Sequence, residues 1–70
     1  MKIISYEGLY RQLEKKNMNR SDLVEAIGLS SKTISRFAKH KPLSMETLMS
    51  LCEFFDCNIG DLVSFETKEE

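Results

Sequence analysis

No apolar run in the 70 residues comes close to the ~20 that a membrane-spanning helix needs. The opening "MKIISYEG" lacks the long apolar segment and small-residue cleavage site of a secretory leader, so the expected compartment is the cytoplasm. Cysteine is nearly absent. Cys52 and Cys57 lie five positions apart at the end of a helical pattern, which separates their Cα atoms by about 8 Å, too far for a disulfide. With His40 as the only histidine, C-x4-C also offers too few donors for a metal. Both thiols are therefore expected reduced and buried, acting as small apolar groups. There is no nucleophile–base pair and no phosphate-cradling glycine loop, so neither an enzyme nor a cofactor is expected. A lone histidine without an orienting carboxylate is a poor catalytic base. No small-molecule pocket is legible.

What remains is an ordinary globular composition, 41% hydrophobic and 30% charged. Seventy residues make one domain with a barely sufficient core, which favours oligomerisation. The formal net charge of −1 conceals a division. Residues 15–41 carry Lys15, Lys16, Arg20, Lys32, Arg36, Lys39 and Lys41 against Asp22 and Glu25, a local +5. Residues 42–70 carry only Lys68 against seven carboxylates, a local −6, while residues 1–14 balance. Such a split lets one side meet a polyanion while the other keeps the chain soluble.

Periodicity predicts a mostly α fold of four to five helices with a short strand at each end. Lys2–Ser5 reads as a strand. Tyr6, Leu9, Tyr10 and Leu13 follow helical spacing to about Lys16–Asn17, with both tyrosines in core or ribbon packing. Asn19, with Asp22 as reciprocal partner, can cap a second helix burying Leu23, Ala26 and Ile27. Gly28 ends that helix in the left-handed conformation, Leu29 plugs the turn, and Ser30 caps a third helix to about Lys39. Met18 reads as a loop plug. Pro42 bars continuation, and Ser44 caps a fourth helix with Leu48, Leu51, Cys52 and Phe55 on one stripe and Met45 and Met49 elsewhere. Asn58 and Asp61 suit a capping box on one further turn, and "LVSFE" alternates Val63 and Phe65 with polar residues as a strand. The end strands are expected to pair antiparallel. A two-stranded ribbon is marginal alone, and its free edges invite a second copy. The domain is expected to span residues 1–66, with 67–70 an acidic tail.

The third helix is unusual. Ile34, Phe37 and Ala38 form its apolar side, while Lys32, Arg36, Lys39 and His40 share the other, flanked by Ser31 and Thr33. The pairs Lys32–Arg36 and Arg36–Lys39 each cost an isolated helix roughly 0.2–0.5 kcal/mol. A solvated face is the ordinary explanation for a charged stripe. The cost becomes a gain opposite phosphates and guanine edges, which Arg and Lys recognise through O6 and N7. Short hydroxyls let a helix approach closely and bond bases or phosphates.

From Arg20 to Lys39 the apolar positions Leu23, Ile27, Leu29, Ile34 and Phe37, with Gly28 in the turn, have a helix-turn-helix layout. The stretches "ISYEGLYRQLEKKNMNRSDLVEAIGLSSKTIS" and "PLSMETLMSLCEFFDCNIGDLV" resemble the XRE-type, phage Cro- and repressor-like helix-turn-helix regulators, specifically their small bacterial members, over residues 4–63. The resemblance implies a phage-repressor-like bundle with the unit at 20–39. It implies base contacts from Ser31, Lys32, Thr33 and Arg36 on a recognition helix at 30–39. It implies phosphate contacts from Asn19, Arg20 and Ser30 at two helix N-termini and from Lys39, His40 and Lys41 in the following loop. Val24 stands where many relatives have alanine, which predicts wider helix spacing. His40 stands where glycine often ends the recognition helix, which predicts a strained or altered cap.

The expected function is sequence-specific double-stranded DNA binding by a homodimer joined through the terminal strands. Its two recognition helices would sit about 34 Å apart. Regulation would act by occlusion or recruitment at a promoter, with repression favoured. The alternative is a helix-turn-helix module kept for protein interaction, such as an antitoxin or adaptor, whose acidic last third binds a basic partner.

Overall fold

The computed structural model describes residues 1–68. In chain order the elements are β1 (Lys2–Ser5), α1 (Glu7–Lys15), α2 (Asp22–Ile27), α3 (Ser31–Ala38), α4 (Met45–Phe55), a 3-10 turn (Ile59–Asp61) and β2 (Ser64–Thr67). Among these residues no helix is long and apolar enough to cross a membrane.

Every helix contributes to one core. Leu9 and Leu13 of α1, Leu23 of α2, Phe37 of α3, and Leu48, Leu51 and Phe55 of α4 are buried together with Tyr6, Leu29 and Leu62. Phe37 lies at its centre, edge-on to Tyr6 at 6.0 Å and tilted against Tyr10 at 5.7 Å. Tyr6 is fully buried, and its hydroxyl donates to the Lys41 carbonyl, joining the start of α1 to the loop after α3. Burial pushes the Tyr6 phenol above its ordinary range, and a backbone hydrogen bond from Leu43 partly opposes this.

The expected caps are present. Asn19 and Asp22 exchange side-chain and backbone hydrogen bonds of 2.8 and 3.1 Å, although regular α2 begins only at Asp22. Ser44 Oγ accepts from Thr47 N, and the Asn58–Asp61 capping box closes the 3-10 turn. Gly28 ends α2 at φ 73°.

The side-chain expectations need three corrections, and one exposed aromatic stands out beside them. Ala26 is exposed, because 3.6 residues per turn place it about 80° from the middle of the Leu23–Ile27 stripe. Val24 is 40% exposed, so it does not set the spacing between α2 and α3. Cys52 and Cys57 are free but only half-buried, since Cys57 follows the left-handed end of α4 at Asp56. Phe65 is 70% exposed. It pairs with Ile4, which packs against the core, but lies on the outer strand.

The ribbon is antiparallel, with Lys2 opposite Thr67, Ile3 opposite Glu66, Ile4 opposite Phe65 and Ser5 opposite Ser64. Lys68 N donates to Met1 O at 2.8 Å, which sets the ladder's phase. By antiparallel alternation, Ile3 and Ser5 bond across the ribbon, whereas Lys2, Ile4, Phe65 and Thr67 turn their backbone groups outward. The ribbon thus passes the expected domain end at 66. Glu69 and Glu70 of the expected acidic tail lie outside the described residues.

Candidate nucleic-acid interface

Three residues separate α2 from α3, and each has a distinct task. Gly28 reverses the chain, Leu29 is buried beneath it, and Ser30, extended at φ −76°, ψ 156°, starts α3. Ser30 Oγ accepts from Thr33 N and lies 3.1 Å from the Thr33 hydroxyl. Helical spacing then buries Phe37, half-buries Ile34 and Ala38, and leaves Ser31, Lys32, Ser35, Arg36 and Lys39 exposed.

Lys32, Ser35, Arg36, Lys39, Lys41 and Pro42 line an open depression of about 480 Å³ along this face. The sole ion pair among the described residues is Arg11–Glu7 at 2.7 Å, elsewhere on α1. The α3 cations therefore lack carboxylate partners within the described structure. Arg20 and Lys41 are likewise exposed.

The other expected contacts are presented less uniformly. Thr33 is half-buried and its hydroxyl turns to Ser30. Asn19 is exposed, yet its backbone N–H donates to the Asp22 carboxylate, placing a negative group where phosphate contact was expected. Lys16 leaves the basic group, its Nζ 5.4 Å over the Phe54 ring. Ser35 was not among the expected site residues. Its signal was its position one turn beyond Ser31, between Ser31 and Lys39 around the helix.

His40 ends α3 in a glycine-like conformation. Its φ is 60°, His40 N donates to Phe37 O, and Lys41 N donates to Arg36 O. This is a Schellman closure with histidine at its left-handed position, a less comfortable residue there than glycine. The ring Nδ1 lies 3.1 Å from the Ile4 carbonyl. A carbonyl only accepts, so Nδ1 carries the proton, and Nε2 becomes a donor only in the imidazolium form.

Residues 9–68 match the model of the Cro/C1-type helix-turn-helix DNA-binding domain. The chain belongs to this family. Its structure also matches a crystal structure of the transcriptional regulator VanUg, with a TM-score of 0.88 and 28% sequence identity. The match covers 96% of this chain and 89% of that one. A search of curated protein sequences gives no match. Membership of the family gives the exposed face of α3 a DNA-binding context.

Proposed function

We propose that this Cro/C1-type protein is a non-enzymatic, sequence-specific transcriptional regulator, a cytoplasmic homodimer that represses by occupying a promoter. The observation that carries the reading is the α3 face itself, where Lys32 and Arg36 are exposed with no carboxylate partner among the described residues. Arg36 and Lys32 read guanine edges, Ser31, Thr33 and Ser35 make short contacts, and Arg20, Ser30, Lys39, His40 and Lys41 hold phosphates. Asn19 joins them through its side-chain amide, since its backbone N–H is taken.

Dimerisation uses the outer edge of β2. His40 covers the β1 edge at the Ile4 carbonyl, whereas Phe65 is exposed with its backbone groups turned outward. Antiparallel pairing of β2 with a second β2 gives a four-stranded sheet. Three strand spacings put the two β1 strands about 14 Å apart. The recognition helices then stand outboard of them, in the sense that the ~34 Å separation of successive major grooves requires.

The test is Lys32→Ala with Arg36→Ala on duplexes selected from genomic fragments. Each lost bidentate base contact should cost about 1–3 kcal/mol of discrimination, with circular dichroism unchanged. Unaltered affinity, or wild-type binding indifferent to salt, would overturn the reading.

A protein-interaction role has one observation in its favour. Met45, Met49 and Ile59 are exposed along a groove between α4 and the 3-10 turn, about 340 Å³ in volume, with Glu53 on its lining. Methionine-rich acidic grooves suit basic amphipathic helices. Under that reading, the double alanine variant would lose DNA but keep its partner.

A further inference from the structure

The linear charge tally assigns Lys2 to a balanced segment and Lys68 to an acidic one. Folding places them together. The ladder sets Lys2 opposite Thr67, with Lys2 Nζ 3.0 Å from the Thr67 hydroxyl, and holds Lys68 beside Met1. Across from them stands the loop that follows α3. A second open cleft, about 420 Å³, is lined by Lys2, Lys39, His40, Lys41 and Lys68 with the strand residues Ile3 and Ile4. Among the described residues no carboxylate lines it. Glu66, opposite Ile3 and two residues before Lys68, is not among the residues that line the cleft.

Two contacts tie the ribbon side to this loop. His40 Nδ1 meets the Ile4 carbonyl at 3.1 Å, and the Tyr6 hydroxyl, next after β1, holds the Lys41 carbonyl. The cleft shares Lys39 and Lys41 with the depression along α3. The basic surface therefore runs without a break from the recognition helix to the terminal strands.

Four ammonium groups around one cleft repel one another, and nothing among the described residues of its lining relieves them. A phosphodiester does. We propose that Lys2 and Lys68 form a DNA-backbone site on the ribbon, gripping phosphates beyond those reached by the helix-turn-helix unit. The proposal rests on the DNA-binding reading and extends its footprint to a part of the chain that carries no helix-turn-helix residue. Such a site adds affinity and orientation without sequence preference.

The test uses the full chain, Lys2→Ala with Lys68→Ala, on a selected duplex with long flanks across a salt series. Each phosphate contact contributes roughly 0.9 to the log–log slope, so the slope should fall in magnitude by about 1–2. The affinity lost between 50 and 200 mM salt should shrink by roughly 4- to 12-fold. Base preference should stay as in wild type, and Lys2→Arg with Lys68→Arg should restore the slope. On a duplex trimmed of its flanks, variant and wild type should converge. An unchanged slope in the alanine variant, while the Lys32 and Arg36 substitutions still abolish binding, overturns the ribbon site and leaves the DNA-binding reading standing. Wild-type protein that binds no duplex overturns both. Inorganic phosphate that shifts the Lys2 and Lys68 NMR signals at low millimolar concentration, with the DNA slope unaffected by either lysine, makes the cleft a free-anion site and refutes the proposal.

Discussion

A methyl group added at Gly8 separates packing from helix propensity. Gly8 lies in the first turn of α1, where alanine should gain about 1 kcal/mol on propensity alone. In the fold, a Cβ there would stand 2.1 Å from the Asp61 carbonyl oxygen, 2.8 Å from its carbon and 3.1 Å from Leu62 Cα. These are backbone atoms of a capped turn, so no side chain can swing aside. Restoring ordinary contact requires the turn to retreat by about 1 Å or more. That retreat would stretch the 3.1 Å bond from Leu9 N to Leu62 O and lift fully buried Leu62 out of the core. A lost hydrogen bond costs about 1 kcal/mol and losing a buried leucine about 2–5 kcal/mol. Net of the propensity gain, Gly8→Ala should destabilise by about 3 kcal/mol, a large part of the ~4–10 kcal/mol of a domain this size. Thermal unfolding followed by circular dichroism should show Tm lower by roughly 12–24 °C. Gly60→Ala, which meets nothing within 4 Å, should be neutral or slightly stabilising. Gly28→Ala, at φ 73°, should fall between them, at about 1–2 kcal/mol. A Gly8→Ala protein within 0.5 kcal/mol of wild type would refute the close approach of α1 to the turn.

Two further outcomes follow from the packing. Phe65→Pro removes both an exposed apolar side chain and an outward N–H without breaking a bond to β1. It should convert the dimer to monomers in sedimentation, and an unchanged dimer would rule out the β2 edge. Burial raises the Cys57 thiol from its ordinary 9.0, helped by the nearby Cys52 and Asp61, and the Tyr6 phenol from 10.0. The folded state holds these protons more tightly than the unfolded chain, so the contribution of these two groups to stability should be level below pH 9. It should fall above pH 9 as the unfolded thiol and then the phenol ionise. Tyr6→Phe should flatten the limb above pH 10 in urea titrations, and an unaltered limb would show that Tyr6 does not drive it.

The elements and the recognition helix were legible because their signals are local. Apolar spacing marks α1 and α4, and Ser30, Ser44 and the Asn58–Asp61 pair bond to backbone within three residues of themselves. Gly28 likewise marks the end of α2 by its own conformational freedom. The exposure of Lys32 and Arg36 followed from one helix's periodicity. Errors arose where a residue's surroundings come from distant chain. Ala26 has an apolar side chain on an apolar stretch, but finds no covering element.

The order of helices, their caps, the hydroxyl-and-cation face of α3 and the pairing of the end strands were determined by the sequence alone, since each depends on neighbours a turn away or on simple complementarity of two short strands. Only the tertiary structure decided that Gly8 leaves room for the turn before β2, that His40 covers the edge of β1, and that Lys2 and Lys68 meet Lys39 and Lys41 in one cleft. The reason is distance along the chain. Propensity and periodicity act over a few residues, whereas those encounters join segments from 27 to 66 positions apart, and only the closed core brings them together.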